Sequence, residues 1–184
     1  MTLRNIFTLS TLATFGNLAA GFSALVFAAQ SDFLRAALLV GVAAVFDALD
    51  GAVARNADAE SEFGANLDSL ADIVSFGAAP ALALFFASLG SLGSLGVAAC
   101  AAFVVCGAAR LARFPLVKNG SRFLGLPIPP AGVALAGLAM VEPSAAVALA
   151  AVASLGVLMV SDIPFPTLST FFSPKRREQS SHEE

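Results

Sequence analysis

The chain has 184 residues, of which 58% are apolar and only 12% charged, with a net charge of −3 and a mean hydropathy of +0.84. A soluble domain of this size carries roughly a quarter charged residues. A water-soluble globule is therefore excluded, and the composition specifies an all-α integral membrane protein of one domain, in which the positions of Lys and Arg matter more than their sum.

Six transmembrane spans are expected. The first, 6–29, is longer than the roughly 7–15 apolar residues of a signal peptide and follows Arg4 alone, so it is expected to persist as a span although VFAAQ resembles a cleavage site. The second, 33–55, runs into the stretch FDALDGAVARNADAESEFGANLDSLAD, residues 46–72. The third, 63–88, ends at the repeat SLGSLGSLG, whose small residues suit close packing or a short turn. The fourth, 95–114, contains Cys100 and Cys106. They are six apart on a helix and have no Cys/His cluster near them, so they read as packing residues. A polar loop with Lys118, Asn119, Gly120 and Arg122 leads to the fifth span, 127–142, which opens with PIPP in a first turn that tolerates proline. The sixth is 144–161. Residues 1–168 form the membrane domain, and 169–184, containing SPKRREQSSHEE, a solvated tail.

Of the ten basic residues, Arg4, Arg55, Arg110, Arg113, Lys118, Arg122, Lys175, Arg176 and Arg177 fall at the termini, the 2–3 connection and the 4–5 connection, and Arg35 alone falls opposite. Both termini are therefore expected in the cytoplasm, with the active site facing it across the cytoplasmic membrane.

That orientation places Asp47, Asp50, Asp68 and Asp72 near the cytoplasmic ends of the second and third spans. On a helix Asp47, Gly51 and Ala54 share a face flanked by Asp50 and Arg55, and Gly64, Asp68 and Asp72 share another. A hairpin through NADAESE would make four carboxylates converge. Repulsion and desolvation penalise such a group unless cations accompany it, one Arg cannot neutralise it, and an all-oxygen cluster suits hard divalent ions. Asp58, Glu60 and Glu62 read as solvated turn residues. A proton-coupled transporter would place acids near the midplane of two repeated halves. Here the acids lie at one depth, and residues 86–159 hold only Glu142. A purely structural or metal-transporting protein would leave the fixed spacing unexplained.

The pattern Asp47-x2-Asp50-Gly51-x2-Ala54-Arg55-x8-Gly64-x3-Asp68-x3-Asp72 resembles the signature of the CDP-alcohol phosphotransferases. LDSLADIVSFGAAPA (67–81), ARLARF (109–114), FLGLPIP (123–129), TFGNLAAGF (14–22) and, more loosely, LMVSDIPFP (158–166) are similar to segments of its CDP-diacylglycerol–serine branch, so the resemblance covers roughly 11–168. Pro115 and the doubled Pro129-Pro130 depart from that pattern. The resemblance implies a homodimer of six-helix subunits with two divalent cations, Mg²⁺ or Mn²⁺. It also implies attack of an alcohol on the lipid-bearing phosphorus of a CDP-lipid, with CMP leaving. Asp47, Asp50 and Asp68 are implied metal ligands, and Asp72 is both ligand and base. Asn17, Asp50, Gly51, Ala54, Arg55, Gly64 and Asp68 are implied to contact the CDP-lipid, with Asn17 also readable as interhelical glue and the glycines as packing residues. CDP-diacylglycerol, L-serine and membrane lipids are the implied partners, and no nucleic acid is expected.

The serine carboxylate calls for a guanidinium. Arg110 and Arg113, three apart, and Arg122 are the candidates, although each also serves the positive-inside signal. Ser75 and Phe76, one turn beyond Asp72, are candidates for shaping the alcohol pocket. Glycerol 3-phosphate or inositol phosphate are alternative acceptors that would require a stronger basic pocket. A covalent histidine mechanism is excluded, because the one histidine, His182, lies in the tail.

Overall fold

Long runs of Ala, Leu, Val and Phe leave the backbone no polar partner in a bilayer except its own carbonyls, which dictates helices. The structure, a computed structural model, describes residues 9–56, 62–113 and 125–161, the side chains of 9, 52–56 and 62 excepted. Six helices appear there, with no strand among the described residues. They are α1 (Leu9–Ala29), α2 (Phe33–Asn56), α3, α4 (Ser94–Arg113), α5 (Ile128–Ala139) and α6 (Ala145–Val160). The unbroken α3 comprises an α-helical stretch Glu62–Asp72, a π-helical stretch Ile73–Ala78 and a second α-helical stretch Ala79–Ala87, and a 3₁₀ turn at Leu89–Leu92 follows it. These bounds agree with the expected spans to within a few residues; the π-helical stretch was not expected. The expected tail lies outside the described residues.

Three helices, α1, α3 and α4, are long and apolar enough to cross a membrane. α5 and α6 are shorter, and α2 has the length but carries Arg35, Asp47 and Asp50. The packing is that of a membrane protein. Alanines such as Ala24, Ala28, Ala36 and Ala43 fill the interior, while Leu38, Val45, Leu70, Val105 and Val157 are exposed on the outside. Lipid is as apolar as leucine, so large aliphatics gain nothing by turning inward, and small interior residues let backbones approach.

α1 and α2 form a tight hairpin through Ser31, at a φ of 60°. The Arg35 amide donates to Asp32 Oδ1 at 3.1 Å, capping α2, and the Arg35 guanidinium lies 3.3 Å from the same carboxylate and 5.5 Å from the Phe27 ring centroid. Arg35, the one basic residue among those described at this end of the bundle, is thereby partnered locally.

α3 is the central helix and touches α1, α2, α4 and α5, while α4 packs on α6. Both cysteines are free and lie in these seams. The Cys100 thiol donates to the Ala81 carbonyl at 3.4 Å, and Cys106 Sγ lies 3.8 Å from where a side chain on Gly156 would begin. The doubled proline sits in the first turn of α5, where no backbone donor is missed. Gly125, at a φ of 85°, turns the chain into that helix, and the Leu126 amide donates to the Leu158 carbonyl at 3.0 Å.

The π-helical stretch is gripped from two sides. A Cβ on Gly21 of α1 would lie 2.8 Å from Ser75 Cα, and one on Gly132 of α5 would lie 2.6 Å from Phe76 Cα. Both partners are wholly buried. Gly132→Ala is expected to destabilise the protein by about 1–3 kcal/mol, because the added methyl has nowhere to go. Gly137→Ala on the same helix meets nothing within 4 Å and is expected to be neutral or slightly stabilising. Thermal melting of the two purified variants in detergent tests the contrast.

Candidate active site

Three acids meet at one end of the bundle. Asp47 comes from α2, and Asp68 and Asp72 come from one face of α3, four residues apart. Each offers a carboxylate oxygen, and these three oxygens all lie within 4.8 Å of one another. Asp72 is 5% exposed, and Asp47 and Asp68 are half-buried. Arg110, in the last turn of α4, is half-buried and close enough to Asp72 for the two charges to interact. Its Nε is enclosed without a hydrogen-bond partner among the described residues.

Asp50 departs from the expected four-way convergence. Its carboxylate is buried and turned toward α1, where Ser10 Oγ donates to Oδ1 and Thr14 Oγ1 donates to Oδ2 at 2.8 Å. Asp50 lies part of a turn from Asp47 around α2, and what draws its carboxylate aside is α1, whose two hydroxyls lie within reach of it. Asn17, wholly buried on α1, donates from Nδ2 to Asp72 Oδ1 at 3.1 Å. Its backbone carbonyl accepts the Ser75 hydroxyl at 3.0 Å.

The remaining candidates divide by position. Gly51 and Gly64 are half-buried, beside Asp50 and in the first turn of α3. Ala54 and Arg55 lie in the last turn of α2, with side chains outside the described residues. Ser75 and Phe76 are enclosed against α1 and α5, behind the acids. Arg113 is exposed at the end of α4, and Arg122 and Pro115 lie outside the described residues, as do the side chains of Asp58, Glu60 and Glu62. Sequence reasoning missed Ser10 and Thr14. Their signal was available as the spacing 10, 14, 17, 21, which puts Ser, Thr, Asn and Gly on one stripe of an apolar span.

The donor set fits hard divalent cations. Three carboxylates face one another with the Arg110 guanidinium beside Asp72, and oxygen ligands select ions of the Mg²⁺ and Mn²⁺ kind over soft metals.

Fold and site together define a polytopic membrane protein with an acidic, cation-seeking centre at one end of its bundle. The CDP-alcohol phosphatidyltransferase family profile matches residues 7–164, and the chain belongs to that family, whose members are in general divalent-metal-dependent. It is 38% identical over 166 residues to a CDP-diacylglycerol–serine O-phosphatidyltransferase of Methanocaldococcus jannaschii, covering 89% of this chain and 76% of the relative. A Helicobacter pylori protein of the same name is 35% identical, covering 90% of this chain and 75% of its own. An archaetidylserine synthase of Methanothermobacter thermautotrophicus is 33% identical, covering 89% and 72%.

If the cluster is built for cations, its acids repel one another when cations are withheld. Asp68→Asn is then expected to lose activity while being about 0.5–2 kcal/mol more stable than the parent in EDTA. Melting curves in EDTA and in Mg²⁺ check this: the stability order should reverse or converge when Mg²⁺ is added.

Proposed function

We propose that the chain transfers the phosphatidyl group of CDP-diacylglycerol to the hydroxyl of L-serine, giving phosphatidylserine and CMP. The observation that carries the reading is the meeting of Asp47, Asp68 and Asp72 with Arg110 beside Asp72, in a chain whose relatives bear the names of serine transferases. Asp47, Asp68 and Asp72 hold two divalent cations, Mg²⁺ or Mn²⁺. Asp50, whose hydroxyl partners on α1 leave its negative charge in place, would add a fourth carboxylate beside them. Bound there, the cations supply positive charge to the pyrophosphate and to the charge developing on it.

The chain's own groups do the rest. Gly51, Ala54 and Gly64 present little bulk, so a nucleotide can lie against two helix backbones beside Asp50 and Asp68, with Arg55 at the pyrophosphate. Asp72 takes the proton of the serine hydroxyl. The serine oxygen bonds to the phosphorus bearing the diacylglycerol, the bond from that phosphorus to the bridging oxygen breaks, and CMP departs with the electron pair. Arg110, half-buried beside Asp72, receives the serine carboxylate through its guanidinium, with Arg113 and Arg122 at the rim. Ser75 and Phe76 act from behind, by seating the helix that carries Asp72. Glycerol 3-phosphate or inositol phosphate would bring a dianionic phosphate, which calls for a more strongly basic pocket than a carboxylate does, and the names of the relatives favour serine. The enzyme works as a homodimer in the cytoplasmic membrane with its site facing the cytoplasm, the orientation being supported by nine of the ten basic residues falling at the termini and at the 2–3 and 4–5 connections of the sequence.

Purified enzyme with CDP-diacylglycerol should release CMP in the presence of serine, far less with glycerol 3-phosphate or inositol phosphate, and none in EDTA. Turnover that ignores serine or survives EDTA would overturn the assignment. Asp72→Asn should lower kcat by about 10²–10⁴-fold. Arg110→Ala should raise the serine KM by about tenfold or more, the loss of one charge-assisted hydrogen bond, while leaving the KM for the CDP-lipid near its original value. An unchanged serine KM would remove Arg110 from the serine pocket.

A further inference from the structure

The structure assigns α1 a task beyond closing the bundle: its stripe Ser10–Thr14–Asn17 positions two of the four acids, Thr14 and Ser10 holding Asp50 and Asn17 holding Asp72. The inference rests on the metal reading above and deepens it.

Three observations carry it. The first is the pairing. Asp50 accepts at both oxygens, from Ser10 and from Thr14 at 2.8 Å, and Asp72 accepts from Asn17 at 3.1 Å. A threonine in an apolar helix ordinarily satisfies its hydroxyl on the carbonyl four residues earlier. Thr14 does approach the Ser10 carbonyl, at 3.2 Å, but its shorter contact is to the acid.

The second is a cost that helix packing alone does not explain. Asn17 is 0% exposed, and its Oδ1 is enclosed with no hydrogen-bond partner among the described residues. A buried amide with one idle end is unfavourable. Its NH₂ end faces an anion that only a donor can satisfy, so the amide cannot flip to relieve the idle oxygen. A residue serving merely as interhelical glue is under no such constraint.

The third is how firmly the donor is seated. The Ser75 hydroxyl holds the Asn17 carbonyl at 3.0 Å, and the missing side chain of Gly21, one turn further along the stripe, lets α1 meet the backbone of Ser75. Asn17 therefore has its position set by the same helix that carries Asp72.

The chemistry of the donors agrees. Hydroxyl and amide groups orient a carboxylate without cancelling its charge, whereas Lys or Arg in their place would compete with a cation for it. Each acid keeps lone pairs directed elsewhere. Outer hydrogen bonds of this type commonly govern how well ligands bind a metal. Asn17, expected from the sequence to meet the nucleotide, thus acts through Asp72 as a positioning residue.

The test uses the full-length protein in detergent, with Mn²⁺ alone as probe, titrated by electron paramagnetic resonance without CDP-lipid or serine. Thr14→Val keeps the shape and removes the hydroxyl; Thr14→Ser restores it; Asn17→Leu keeps the volume and removes the amide. Thr14→Val and Asn17→Leu should each bind Mn²⁺ about 10–100-fold more weakly. Both should lower kcat with serine KM unchanged, and Thr14→Ser should return to near parental values on both readouts. If the parent protein itself binds no Mn²⁺, the metal reading fails and this inference falls with it. If the parent binds and both variants bind equally well, or if Thr14→Ser is as impaired as Thr14→Val, only the positioning role is overturned. Should Asn17→Leu fail to fold, the Thr14 pair still decides.

Discussion

Like-charge repulsion sets the terms for the rest of this molecule. Three carboxylates, with oxygens within 4.8 Å of one another, sit among apolar helices where water does little to screen them. Such a group forms only if the scaffold holds it and something positive completes it. The scaffold meets the first condition with a bundle whose interior alternates small residues, such as Ala24, Ala43, Gly21 and Gly132, with large ones, such as Phe76, Phe103 and Leu135, so that backbones approach closely where the small ones lie. Arg110 supplies positive charge beside Asp72, and an all-carboxylate cluster of this kind agrees with the divalent-metal dependence of the family.

α3 reconciles two demands that a regular helix could not meet together. Asp68 and Asp72 need a straight α-helical face. Immediately beyond them the same helix must fit α1 and α5 closely. The π-helical stretch Ile73–Ala78 begins at the residue after Asp72 and widens the turn there, changing which side chains face which neighbour. Ser75 then meets α1 and Phe76 meets α5, each over a glycine. The poorer π-helical hydrogen bonding is offset by that packing. Departures of this kind inside helices cluster at functional sites, and this one adjoins the acid proposed as base.

Much of this was legible in the sequence, for a physical reason. A bilayer imposes length and apolarity on each span and sorts Lys and Arg by side, so six helices, and an orientation to propose, follow from a simple scan. The meeting of Asp47 with Asp68 and Asp72 was legible too, because i, i+4 spacing puts Asp68 and Asp72 on one face and the short connection after α2 brings Asp47 back toward it. What escaped was tertiary. Asp50 is chemically identical to Asp47, and only the position of α1 decides that its carboxylate turns toward Ser10 and Thr14. Those two residues looked unremarkable because hydroxyls in spans usually bond to their own helix. Ser75 and Phe76 were expected at the pocket on proximity alone. In the structure both are buried against glycines of α1 and α5 within the π-helical stretch, and nothing in IVSFGA announces such a turn when read by propensity.

The distribution of chemistry along the bundle also bears on what such an enzyme can discriminate. All described acids of the centre, their α1 donors and Arg110 occupy one end, while the outer surface of the described helices exposes many large apolar side chains, among them Phe22, Leu38, Val45 and Val105. The relatives differ accordingly in the lipid they are named for, phosphatidyl in some and archaetidyl in another, while serine is common to both names. A hydrocarbon tail that meets only apolar side chains and neighbouring lipid is discriminated weakly, by about 1–3 kcal/mol per methylene at most in a fitted pocket and by less on an open surface. Recognition strong enough to select a substrate must therefore come from the polar end. There a pyrophosphate requires cations, a carboxylate requires a guanidinium, and each fails steeply when its partner is missing. On the proposed function, this chain selects its donor by the CDP group and its acceptor by the amino-acid carboxylate, and accepts the tail that the membrane provides.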